Sequence, residues 1–405
     1  MMRIFHTADW HIGHLLYGNN RVEEHEHFLK WLLSQVRSYK PDVFLAVGDI
    51  FDGTLLSGED ERIFWDFLMQ LTRDNPQMRV ILTTGDSDDV SYVNSSLSVF
   101  HRVGVQVRSQ IPRNGRGEID YEELCIPVNA IEHPDEQIVI LAVPVDREGM
   151  ADNGIYEQLV KMVSKRFSDM PIVVMAHGYA KGARTLQTNG KDYAIGYGVD
   201  VMDFTPLASK VAYIALGHIH QAQAIAGYDN IWYAGSPLSL SFEERDYSLG
   251  INMVDIESKD SVKIKHLEYK PLRKLLTIPS DSGCSYKEAE KYLASFDKIS
   301  RNDDSVSYPY VELKIREDNP TPEMLETLQA MASERCVKLC RIERVMSEKA
   351  MEETYPDLSA DDLQQLVPGR MIREMYHQRY SEDMMDEMAR LVADVKRTGE
   401  NADLS

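Results

Sequence analysis

Cysteine is scarce in this chain of 405 residues: Cys125, Cys284, Cys336 and Cys340 are irregularly spaced. That excludes a disulfide framework and points to a reducing compartment. Cys336 and Cys340 form a C-x-x-x-C pair, but no second Cys or His pair lies at zinc-site spacing, so the structural reading is favoured. No run approaches the ~20 apolar residues of a membrane span, and the opening MMRIFHTADWH lacks an apolar stretch of signal-peptide length. The expectation is a cytoplasmic protein with no membrane partner. Positive charge is also in short supply, with 44 Lys and Arg against 65 Asp and Glu and a formal charge of -21. Taken alone, this argues against nucleic acid, whose phosphates call for an electropositive footprint.

What is present is ordinary globular composition, 43% hydrophobic and 27% charged, which excludes collagenous, low-complexity or wholly disordered chains. The length allows two or three domains. The acid is unevenly placed: residues 1–150 carry -11, residues 151–350 only -3, and residues 351–405 carry -7. A locally basic run holds Lys259, Lys263, Lys265, His266, Lys270, Arg273 and Lys274. It is a candidate phosphate-contact surface, and equally a solvated strand face. DNA binding by such a chain alone would be weak and salt-sensitive.

Short β-branched runs alternate with helical periodicity through the first two thirds, the α/β pattern of sheets with helices on their faces. Strands are expected at Met2–His6, Asp42–Val47, Arg79–Thr84, Gln137–Val143, Pro171–Ala176 and Val211–Leu216, and helices at Val22–Arg37 and Ile63–Leu71. Ile231–Ala234, Leu249–Ile256 and Val262–Tyr269 read as a meander completing a second sheet. Strand patterning stops near Pro271–Asp281. Beyond it, helix, strand, helix and strand (Tyr286–Phe296, Tyr310–Ile315, Thr321–Ala332, Lys338–Val345) read as a small α/β cap domain. The boundaries expected are 1–270, 271–348 and a helical segment 349–405. In that last segment Met384, Met388, Leu391 and Val395 make an amphipathic stripe.

Acids and imidazoles stand just after the apolar strands: Asp9 and His11 (HTADWH), Asp49 (AVGD), Asp86 (TTGD), His177 (VMAHG), and His218 with His220 (ALGHIH). Ligand sites in α/β sheets lie at the carboxyl ends of strands, where rigid strands aim loop residues at one point. Carboxylate and imidazole donors suit divalent manganese, zinc or iron, and an Asp reaching two ions brings them to ~4 Å. Such a clamp stabilises in-line displacement at phosphorus. His25, His27, His101 and His266 have no such context and read as structural or surface groups.

The series D-x-H, G-D, G-x-x-D, H-G and G-H-x-H resembles the calcineurin-like metallophosphoesterase pattern. The closer resemblance is to the SbcD family, the nuclease subunits of bacterial SbcC and SbcD complexes. It rests on HTADWHIG, VAYIALGHIHQAQ and WYAGSPLSLSFEE (Trp232–Glu244), in order through about 270 residues and more loosely into the cap. The resemblance implies a two-sheet β-sandwich flanked by helices with a small cap and C-terminal helices, a metal-dependent exonuclease and endonuclease acting on DNA ends in recombination and repair, and two divalent ions, Mn2+ foremost. It implies a homodimer and an SbcC-like ATPase whose coiled coil meets the segment after the cap. By the same resemblance Asp9, His11 and His220 hold one metal, His177, His218 and Asp86 the other, and Asp49 bridges.

The third motif departs from the family's G-N-H-D, reading Gly85, Asp86, Ser87, Asp88. Asp86 replaces a neutral ligand: two divalent ions, Asp9, Asp49, Asp86 and one hydroxide sum to zero, where the family pattern leaves +1. Ser87 replaces a His that the resemblance places beside the scissile phosphate, and a serine has no titration near neutral pH. Loss of a general acid costs about 10² to 10⁴ in rate. Asp88 or Asp89 could substitute only with a pKa raised well above the usual ~4. The expectation is metal binding with weakened or redirected hydrolysis. Alternatives are a scaffold subunit of the same complex, or an esterase for small phosphoesters or phosphoproteins.

Overall fold

The computed structural model describes residues 1–53, 56–145, 154–167, 170–184, 187–188, 191–192, 201–280, 282–300, 305–316 and 321–345. No helix among them is long and apolar enough to cross a membrane, and all four cysteines are free. The expected helical segment 349–405, with its methionine stripe, lies outside the described residues.

The elements run β1 (Met2–Thr7), α1 (Val22–Tyr39), β2 (Val43–Val47), α2 (Gly58–Asp74), β3 (Arg79–Thr83), α3 (Val90–Arg102), β4 (Val105–Arg108), β5 (Cys125–Asn129), β6 (Gln137–Ala142), α4 (Gly154–Arg166) and β7 (Ile172–His177). Then come the short β8 (Gln187–Thr188) and β9 (Lys191–Asp192), followed by β10 (Tyr213–Gly217), β11 (Gln223–Ala224), β12 (Ile231–Tyr233), the 3-10 turn η1 (Phe242–Glu244), β13 (Gly250–Ser258) and β14 (Ser261–Glu268). The last are β15 (Leu275–Ile278), α5 (Tyr286–Ser295), β16 (Tyr310–Ile315), α6 (Pro322–Ser333) and β17 (Lys338–Arg344).

Two six-stranded sheets, ordered β14-β13-β1-β2-β3-β4 and β11-β12-β10-β7-β6-β5, dominate the fold. Strand alternation explains why they stack. Met2 and Ile4 of β1, with Val43, Leu45 and Val47 of β2, face Val173, Met175, Tyr213 and Ala215 of the other sheet in one apolar layer. The alternate residues Phe5, Phe44 and Ala46 point outward into a second cluster with α1 and α2. Ile172, Val174, Ile214 and Leu216 do the same against α4. Burial on both faces is why these strands read as continuous apolar runs.

The expected meander divides between the sheets. β12 runs beside β10 in the second sheet, whereas β13 pairs antiparallel with β1 and carries β14 onto the first. The register Met2↔Ile256 and Ile4↔Val254 puts Val254 and Ile256 in the layer between sheets, and that burial determines where β13 belongs. A further three-stranded parallel sheet, β15-β16-β17, has its own core with α5 and α6. Its first strand falls inside Pro271–Asp281, where the sequence shows no strand pattern. This unit docks on the larger one through Tyr310, whose hydroxyl donates to Glu24 Oε2 at 2.7 Å, and through a buried cluster of Leu16, Phe242 and Tyr310.

Of the basic run, Arg273 is buried and donates to Glu23 Oε2 at 2.8 Å, so it faces no phosphate. Lys263 and Lys265 are exposed on β14, an edge strand, with Lys263 donating to Glu257 Oε1 at 2.9 Å.

Candidate metal centre

β1, β2 and β3 are mutually parallel, as are β7 and β10, and the loops leaving their carboxyl ends meet. Asp9 N donates to Gly48 O at 3.1 Å and His11 N to Asp49 O at 3.0 Å, lacing the first two loops together. The two sheets are joined by His218 N, which donates to Asp9 Oδ1 at 2.8 Å, and by His177 Nδ1, 2.9 Å from Val47 O. The close approach depends on glycine: Gly48 has φ +73, and a Cβ there would strike the His177 ring. Four candidate ligands, Asp9, His11, Asp49 and His218, adopt positive φ without being glycine. Such strain gathers at functional sites, where surrounding structure enforces it.

The ligand atoms form three overlapping groups, Asp9 with His11 and His220, Asp86 with His177 and His218, and Asp9 with Asp49 and His177, in each of which they lie within 4.8 Å of one another. Asp49 Oδ2 stands between, 3.6 Å from His11 Nε2 and 3.3 Å from His177 Nε2. His177 Nε2 and His218 Nδ1 lie 2.9 and 3.0 Å from the same Asp86 oxygen. Asp9 Oδ2 and His11 Nε2 are buried without a hydrogen-bond partner. Stranding two such atoms together is costly unless a cation completes them, so the donor set fits divalent ions.

The electrostatics agree with that chemistry. Burial would push the His177 pKa down, but Asp49, then the bonds to Asp49 and Asp86, hold it well above the ordinary imidazole value. For His220 burial is likewise outweighed, chiefly by Glu244, and its pKa rises to about 9. Burial opposes ionisation of Asp86, yet His177 and His218 keep it well below the usual carboxylate range. Burial raises Asp9.

Of the third-motif residues, Asp86 groups with His177 and His218, whereas Ser87, Asp88 and the following Asp89 make local contacts. Ser87 turns toward Asp49: its N–H donates to Oδ1 at 2.8 Å and its hydroxyl to Oδ2 at 3.2 Å. Asp88 is buried, accepting from Phe51 N and Gly85 N at 2.8 Å each, so it ties the two loops together. Asp89 caps α3, accepting from Ser91 N at 2.7 Å.

Three orienting groups escaped the sequence reasoning. Asp52 places one oxygen 3.3 Å from His11 Nδ1 and the other 3.1 Å from His14 Nδ1. Glu244 Oε1 lies 2.8 Å from His220 Nδ1, leaving Nε2 for the site. The Val47 carbonyl does the same for His177. The available signals were Asp52 three residues beyond Asp49 in GDIFD and the closing acid of LSFEE.

The family model for calcineurin-like phosphoesterases matches residues 2–222. Among curated relatives, the SbcD component of nuclease SbcCD from Rhodobacter capsulatus is 28% identical over 377 residues, 88% of this chain and 90% of that one. The protein of the same name from Escherichia coli K12 is 23% identical over 400 residues, 95% and 94% of the two chains. That from Bacillus subtilis is 26% identical over 269 residues, 63% of this chain and 66% of its own. The similarity to the first two thus continues well beyond the phosphoesterase match. With the family match covering more than half its length, and with the motif residues gathered at the strand ends, the chain belongs to the calcineurin-like phosphoesterase family.

Proposed function

We propose that this chain is a metal-dependent nuclease subunit of the SbcD type, hydrolysing phosphodiesters at DNA ends in recombination and repair. The observation that carries the proposal is the pair of buried, unpartnered ligand atoms, Asp9 Oδ2 and His11 Nε2, beside His220 and Asp49. In this reading residues 1–270 form the nuclease domain, 271–348 the cap and 349–405 the contact for an SbcC-like coiled-coil ATPase. The protein acts in the cytoplasm as a homodimer.

Asp9, His11 and His220 would hold one ion and Asp86, His177 and His218 the other, with Asp49 between them. Divalent ions there, Mn2+ foremost, would supply Lewis acidity and a nucleophile at neutral pH. The protein contributes orientation: Val47 and Glu244 fix the imidazoles of His177 and His220, Asp52 steadies His11, and Ser87 aims Asp49.

One observation favours a second reading, a subunit with impaired catalysis that serves mainly as a DNA-binding scaffold. Ser87 directs both its donors to Asp49, and no imidazole occupies its position to protonate a leaving oxygen. The test is Mn2+-dependent cleavage of linear duplex and hairpin DNA, with and without the ATPase, beside Ser87→His. The impaired reading expects slow wild-type cleavage and a gain in the variant of up to about 10² to 10⁴. Robust wild-type cleavage that the variant does not improve would sink it. Cleavage of p-nitrophenyl phosphate in preference to any diester would sink the nuclease proposal itself. The ATPase contact is tested by co-purification with the full chain and with a chain ending near Glu348; equal recovery refutes it.

A further inference from the structure

Arg341 projects from β17, the edge strand of the cap sheet, onto the loops of the metal centre. Its Nη2 donates to Glu243 Oε1 at 3.2 Å and Glu343 Oε2 at 3.1 Å, and Nη1 donates to Tyr17 Oη at 3.1 Å. Nε stands 2.6 Å from Glu312 Oε1, a buried carboxylate of β16. The guanidinium carbon is also 5.4 Å from the centroid of the Tyr17 ring, which is itself 5.4 Å from the Phe242 ring. Tyr17 has φ 47, a conformation that needs such enforcement.

Phe242 and Glu243 are the first two residues of η1, and the third is Glu244. Its Oε1 lies 2.8 Å from His220 Nδ1, while its Oε2 accepts from Leu240 N at 2.7 Å. A single turn of three residues cannot shift at Glu243 without moving Glu244.

We propose that Arg341 is a positioning residue for the metal centre: by gripping Glu243 and Tyr17 it holds η1 so that Glu244 keeps His220 Nε2 turned toward the ligand set. The inference rests on the metal reading above and extends it to the cap, which thereby completes one ligand set. Docking of the cap and positioning of η1 are separable at Arg273 and Glu23, whose ion pair joins the two units away from η1, although Tyr310 also packs on Phe242.

The test is calorimetric titration of the full metal-free chain with Mn2+, read as the binding constant of each step. Groups that orient metal ligands are worth about 10- to 100-fold in affinity. Arg341 acts one contact further out, so Arg341→Gln should weaken one Mn2+ step by roughly 10-fold and leave the other unchanged. Because that variant strands Glu312 and could unfold the cap, Glu243→Ala cuts the same link at a half-exposed group and should weaken the same step. Arg341→Lys keeps the charge but lacks the fork, and should not restore the constant. Glu23→Ala should lower the melting temperature slightly and leave both constants alone. Wild-type constants in Glu243→Ala, or an equal loss in Glu23→Ala, would overturn the positioning role while leaving the metal reading intact. Failure of the wild type to bind Mn2+ would overturn both.

Discussion

Asp88 is 1% exposed, accepts two backbone N–H groups, and has a pKa pushed up to about 6 by burial. Phe51 follows the second motif and Gly85 opens the third, so one carboxylate ties the two ligand-bearing loops together. Asparagine would keep one acceptor oxygen and set an amide N–H against the other backbone N–H. Asp88→Asn should therefore cost about 1–3 kcal/mol, read as a lowered urea midpoint of the metal-free protein; an unchanged midpoint would show that the clamp carries no stability. The candidate ligands were legible because each is an acid or imidazole at, or within four residues of, the carboxyl end of an apolar strand. The roles of Ser87 and Asp88, and the orienting acids Asp52 and Glu244, were not. Their partners lie far along the chain, Glu244 24 residues from His220 and Asp52 41 from His11, and periodicity carries no information about which way a loop side chain turns.

Helix α2 starts with a capping box: Ser57 Oγ accepts from Asp60 N at 3.2 Å, and Asp60 Oδ2 accepts from Ser57 N at 3.0 Å. Three acids in its first turn also complement the helix dipole. Ser57→Ala removes one arm of the box and should cost about 1 kcal/mol in global stability. Chemical denaturation checks this, and a loss below a few tenths would mean that α2 is held by its buried Phe64, Phe67 and Leu68 alone. The central strands of both sheets were visible in the sequence because two-sided burial makes them apolar, whereas the partly exposed edge strands β4, β5 and β11 were not. Helix α3 was not, since it buries only Val93 and Phe100. Helix α4 has a clear stripe, Ile155, Leu159 and Val163, which the strand-led reading leaves unassigned. The pairing of β13 was illegible for another reason: alternation shows which residues point inward, and only the packed sandwich shows which sheet receives them.

Across the whole molecule, stability depends on the two sheets staying face to face, and His6 lies at that joint. It is fully buried, with Nδ1 2.9 Å from Tyr213 Oη and Nε2 3.2 Å from Leu216 O, both partners belonging to the opposite sheet. A neutral ring satisfies both, accepting from the tyrosine and donating to the carbonyl. Burial drives its pKa from 6.5 down to about 3. Between those values the unfolded chain binds a proton that the native chain does not, so stability rises with pH through the window and is lost as pH falls from the unfolded value toward the folded one. Between about pH 7.5 and about pH 5.5 this single group should remove about 1.4 kcal/mol of unfolding free energy. His6→Gln preserves one donor and one acceptor but cannot titrate. Urea unfolding of the metal-free wild type and variant at both pH values isolates the difference, because every other titrating group cancels. The variant should lose less stability on acidification by about that amount; parallel losses in the two proteins would mean that His6 is already protonated in the fold or hydrated at the joint.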